Sequence, residues 1–84
     1  VSLPPDINDI CNCVTNETGY TPNVSAQRGH VVLGLPGVVR GVVFHKLTHN
    51  AISQVSVDEL TIEQTEILFA ILLAAQQYGY TSWL

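Results

Sequence analysis

Residues 67–75 read Ile-Leu-Phe-Ala-Ile-Leu-Leu-Ala-Ala, nine apolar positions without a polar break. A surface helix interrupts such a run every third or fourth residue, because one of its faces meets water. Yet the flanks are those of a helix. Thr61 stands three residues before Gln64 and Ser56 three before Glu59, so two overlapping capping boxes compete for its start. Asp58, Glu59, Glu63 and Glu66 suit the positive end of a helix dipole, and Gly79 is a natural stop. The pattern predicts a long helix over about 60–78 whose apolar centre is too short to cross a bilayer, which takes about 20 apolar residues. Such a helix must be covered, and a chain of 84 residues has little material for the task. A sheet of the same chain covers it, or a second chain does.

The best internal cover is Val-rich. His30 to Leu35 and Val38 to Leu47 read as strands, with Leu35-Pro36-Gly37 between them in the order a type II turn prefers. Residues 30–47 are therefore expected to form a β-hairpin, near-continuously apolar and so buried on both faces or at an interface. Upstream, Val1 to Pro5 is extended by its prolines. Asp6 then caps a short helix carrying Ile7, Ile10 and Val14 on one face, ended by Gly19. Residues 20–29 are polar and rich in turn formers, and 48–53 read as a polar connection. Ile52, Val55 and Val57 make a further short strand or a loop that packs. Tyr80 to Leu84 is a short apolar tail, a terminal strand or a packed extension.

The sum is one α+β domain spanning residues 1–84. Its hairpin (about 30–47) and short terminal strand pack on the long C-terminal helix (about 60–78), with a short N-terminal helix.

Composition excludes several functions. The chain is 46% hydrophobic but only 12% charged, about half the usual share of about 25%, which argues against disorder. So few ions favour self-association or a large partner interface. All three fixed cations (Arg28, Arg40 and Lys46) lie between two acidic groups, and the net charge is −4. Nucleic acid is excluded as a partner, because no basic footprint exists to replace counterions on phosphates.

Candidate chemistry is sparse. Cys11, Cys13, His45 and His49 are the one set resembling a metal constellation. The one-residue gap between the cysteines is tighter than zinc sites use, and 45–49 reads as a strand end and turn, so no metal ligand is assigned. As a disulfide pair, Cys11 and Cys13 point apart by about 200° on a helix. They form a strained local ring, stay reduced, or pair with another chain. Ser25 or Ser53 with His30 or His45 and Asp58 lacks the frame of a nucleophile elbow. Glu59/Glu63 and Glu63/Glu66 are explained as dipole partners. Gly34-Leu35-Pro36-Gly37 matches the GXXG pattern of nucleic-acid clamps, but in an acidic chain it reads as a turn. No catalytic residue and no cofactor are assigned, and the chain is read as non-enzymatic.

Two N-glycosylation sequons, at Asn16 and Asn23, favour secretion. Val1 at the start and the absence of methionine are read as signs of a processed precursor, with Leu84 as a second processing end or the free terminus. The expected function is a small secreted interaction protein, an effector or toxin-like subunit acting by surface contact with a protein partner or a membrane surface. The alternative is a structural or assembly subunit, of a virus particle or surface layer, that homo-oligomerises through its apolar helix. Phe69, Leu72, Tyr80 and Trp83 are the expected interface residues, although the late aromatics Tyr78, Tyr80 and Trp83 more readily close the core over the end of the long helix.

Overall fold

Thr61, not Ser56, opens the long helix. In a computed structural model, which describes residues 5–38, 40–45 and 47–81, helix α2 runs over Ile62–Gln77. The capping box is complete: the Gln64 amide donates to Thr61 Oγ1 at 3.2 Å, and the Thr61 amide donates to Gln64 Oε1 at 3.0 Å. Ser56 instead precedes a single 3-10 turn, Val57–Glu59, and its side chain makes no cap bond there. The far end closes as a Schellman motif. The Gly79 amide donates to Gln76 O at 3.1 Å and the Tyr80 amide to Ala75 O at 3.0 Å, with Tyr80 and Ala75 both buried.

The expected hairpin forms with shorter strands: β2 (His30–Gly34) and β3 (Gly41–His45). Its turn is of type II. The Val38 amide donates to Leu35 O at 3.3 Å, Pro36 fixes the first corner, and Gly37 takes the positive φ of 71° that the second corner demands. Chain that the sequence assigned to the second strand belongs to this connection, so β3 begins at Gly41 rather than Val38. Val39 and Lys46, also assigned to that strand, lie outside the described residues.

Two further strands replace expected loops. β1 (Asn23–Gln27) pairs with β2, and β4 (Asn50–Ser53) pairs with β3, making an antiparallel meander in the order β1-β2-β3-β4. Residues 20–29 read as turn because every residue of β1 is exposed, so no alternation marks it. Of the three residues proposed for a further strand, Ile52 alone falls in β4. Of the tail expected as a terminal strand or packed extension, residues 82–84 lie outside the described residues, and Thr81 makes a single bridge. The Thr81 amide donates to His49 O and its carbonyl accepts from Ala51, both at 2.8 Å, which closes the outer edge of β4.

Helix α1 (Pro5–Thr18) starts at the proline, which suits the first turn of a helix, so Asp6 lies inside that turn instead of capping it. Ile7, Ile10, Cys11 and Val14 are buried along one face, and that face packs on α2. The two helices run in opposite directions. Asp6, near the start of α1, faces Tyr80 beyond the end of α2, while Glu17 shares a groove with Leu73.

The result is two layers. Val31, Leu33, Val42, Phe44 and Ala51 point from the sheet into one core with the buried faces of α1 and α2. The helices cover one face; on the other, Val43 of β3 is still buried while His30 and Val32 of β2 are half-exposed, so the expected double burial holds for β3 and not for β2. The opposite face carries two cross-strand rows, Gln27-His30-His45-Asn50 and Ser25-Val32-Val43-Ile52. The cover of the nine-residue run is now identified. Sheet and α1 share the task, and seven of the nine residues are buried.

Candidate functional site

The two helices turn the charge segregation of the sequence into a two-faced molecule. α1 carries Asp6, Asp9 and Glu17, α2 carries Glu63 and Glu66, and neither helix contains a lysine or arginine. Arg28 and Arg40 are exposed on sheet connections. Lys46 lies outside the described residues.

Within this acidic layer one apolar stripe is exposed in part among the described residues. Ile62 is 83% exposed, Phe69 is half-buried, and Leu73, inside the nine-residue run, is 51% exposed. With Glu66 and Gln77 these positions follow steps of three and four and line one helical face. Leu73 also borders a groove of about 350 Å³ between the helices, lined by Cys13, Glu17, Ala74, Gln76 and Gln77. Tyr78 stands beside it, partly exposed. Its phenol is shifted above the usual 10.0 by partial desolvation, then by the nearby Asp9 and Cys13.

The expected interface residues divide. Phe69 belongs to this stripe. Leu72 and Tyr80 lie inside the chain's own core and offer no surface to a partner. Trp83 lies outside the described residues. Cys11 and Cys13 are both free thiols: Cys11 points into the core and Cys13 toward the groove, as their spacing on a helix dictates. Burial pushes the Cys11 thiol pKa up, which keeps it protonated and unreactive. Asn16 on α1 and Asn23 at the start of β1 are both exposed.

The Cys-His set is not assembled. His45 stands on the bare sheet face, whereas His49 stacks on Tyr80 with ring centroids 4.2 Å apart. Among the described residues no group of three or more His, Cys, Asp or Glu is placed to hold a metal ion. Ser53 is occupied in its own turn, accepting from the Val55 amide and donating to the Val55 carbonyl. The remaining members of the serine-centred sets are spread over β1, β2, β3 and the 3-10 turn.

One cluster escapes sequence reading. The Tyr80 ring meets Phe44 edge-on at 5.0 Å and His49 face-on, while His49 Nε2 lies 4.0 Å from Asp6 Oδ2. Burial, then the adjacent Asp6 charge, push the Tyr80 phenol up to about 12. The phenol therefore stays neutral where the turn after α2 meets the start of α1. Its role is structural: it joins the first helix, β3 and the last turn. His49 supports it from a positive φ of 58°. No pattern marks the cluster, because its members come from four separate stretches of chain.

Comparison of the chain with protein-family models, curated proteins and solved structures finds no match.

Proposed function

We propose that this chain is a small secreted, non-catalytic interaction protein of the effector or toxin-like kind. In this reading the acidic helical face around Leu73 receives a basic protein surface that inserts an apolar side chain. The supporting observation is that groove: an exposed leucine at its wall, glutamate and glutamine at its rim, and no cation on either helix. An apolar anchor inside a polar rim is the usual anatomy of a protein contact, and unlike charge steers the partner in. The same acidic charge disfavours docking of this face on anionic lipid. Secretion rests on the two sequons, whose asparagines are accessible.

A synthetic helical peptide of Lys and Leu tests the reading. Binding should shift the amide resonances of Leu73, Glu17 and Gln77, weaken with salt, and fall at least tenfold in Leu73→Asp. An acidic peptide of equal length should not bind. Shifts confined to the sheet, or equal affinity for both peptides, would count against the proposal.

The assembly-subunit reading keeps one specific support. An acidic helical face and a sheet face bearing Val32, Val43 and Ile52, with Arg28 and Arg40 on its connections, are unlike enough to stack head to tail. Light scattering at micromolar concentration separates the two, with a monomer expected for the interaction protein and a salt-sensitive homo-oligomer for the subunit.

A further inference from the structure

His30 and His45 are direct cross-strand partners on the bare face of the sheet, and their ring centroids are 6.1 Å apart. Backbone bonds fix which kind of pair this is. The Gly41 and His45 carbonyls both accept hydrogen bonds from the far side of β3, from Gln54 at 2.9 Å and His49 at 3.0 Å. His45 therefore turns its backbone groups away from β2. In an antiparallel ladder this makes His30 and His45 a non-hydrogen-bonded pair, the narrow kind with Cα atoms about 4.5 Å apart and side chains closest.

We infer that these two imidazoles form a bidentate chelate for a borderline divalent metal ion of the Zn2+, Ni2+ or Cu2+ class. Imidazole nitrogen suits these ions, whereas Ca2+ and Mg2+ prefer oxygen. A metal about 2.1 Å from a nitrogen of each ring holds the two centroids roughly 4.5–5.5 Å apart, from a right angle to a tetrahedral angle at the metal. The observed 6.1 Å is about 1 Å wider, a gap that binding would close by turning the two partly exposed rings toward each other. Gln27 and Asn50 continue the same cross-strand row on either side and flank the pair with neutral amides. Solvent fills the remaining coordination positions, since both rings are partly exposed. The bound ion would clip β2 to β3 on the face that the helices leave open. This site lies on the opposite layer from the Leu73 groove and does not depend on that proposal.

Titration of the full chain with ZnCl2 and NiCl2 by calorimetry at neutral pH, with CaCl2 as the contrast, tests the chelate. Wild type should bind Zn2+ and Ni2+ but not Ca2+, and excess Zn2+ should raise Tm, because the folded chain alone presents both rings together. His30→Gln and His45→Gln should each lower the affinity at least tenfold. His49→Gln, which removes the histidine of the β3–β4 turn that stacks on Tyr80, should leave it unchanged. Both site variants alter partly exposed side chains, and circular dichroism verifies that they fold. The inference is overturned if wild type binds neither ion below millimolar concentration, if either site variant keeps wild-type affinity, or if His49→Gln abolishes binding.

Discussion

Leu72→Asp is expected to leave the chain unfolded at 25 °C. Leu72 is 0% exposed, at the centre of α2 where α1 and the sheet meet around it. Losing the side chain alone costs about 2–5 kcal/mol, the range for buried leucine truncated to alanine. An unpaired carboxylate in the same place adds several kcal/mol more. Neither helix carries a cation to pair with it, and Arg28 and Arg40 are exposed on sheet connections. The combined loss is comparable with the whole stability of an 84-residue domain, about 4–13 kcal/mol at typical values per residue. Leu73→Asp, one residue on, should still fold, with a loss of about 1–2 kcal/mol, since half of that side chain already meets water. Far-UV circular dichroism and thermal melts of the two variants check the contrast. A folded Leu72→Asp with an unfolded Leu73→Asp would reverse the phase of the helix.

The second large effect is expected at Gly41→Ala. A Cβ at this position would meet the Leu33 carbonyl oxygen and lie 2.9 Å from the Gly34 Cα. Both obstacles are backbone of the neighbouring strand, so they cannot swing aside as a side chain would. β2 and β3 must separate locally, which strains the centre of the sheet. The expected loss is about 3 kcal/mol, the upper part of the usual range for overpacking. In a domain of this size that lowers Tm by roughly 12–24 °C. Gly34→Ala supplies the control across the same pair. Its Cβ would sit 3.6 Å from the Asn23 Cβ, an ordinary contact, and the melting temperature should scarcely move. Equal effects at the two glycines would mean that the strands are not this close.

Local signals carried much of the fold. The Pro36-Gly37 turn and the face of Ile7, Ile10 and Val14 each have a short-range physical cause and are found where expected, and the Thr61-Gln64 box is the one that forms of the two that competed. β1 could not be read in this way. An edge strand with every side chain in water leaves no alternating pattern, and its polar composition resembles a turn. The phase of α2 was hidden for the opposite reason. In an unbroken apolar run no residue is marked as outward, so Leu72 and Leu73 look alike until α1 and the sheet are placed. Exposure therefore differs from what the run suggests: Leu72 and Tyr80 lie in the core, and Leu73 lies at the surface. The His30–His45 pair needed the register of the hairpin, which a connection from Leu35 to Arg40 leaves undetermined by turn chemistry alone.

The central claim is that this chain hides its own apolar helix under its sheet and α1. Amide hydrogen exchange of residues 67–75, followed over a hundredfold range of protein concentration, tests it most directly. Exchange from these amides should require opening of the whole domain, and protection should be the same at every concentration. Protection that rises as the protein is concentrated would contradict the account, because a second chain would then be completing the cover.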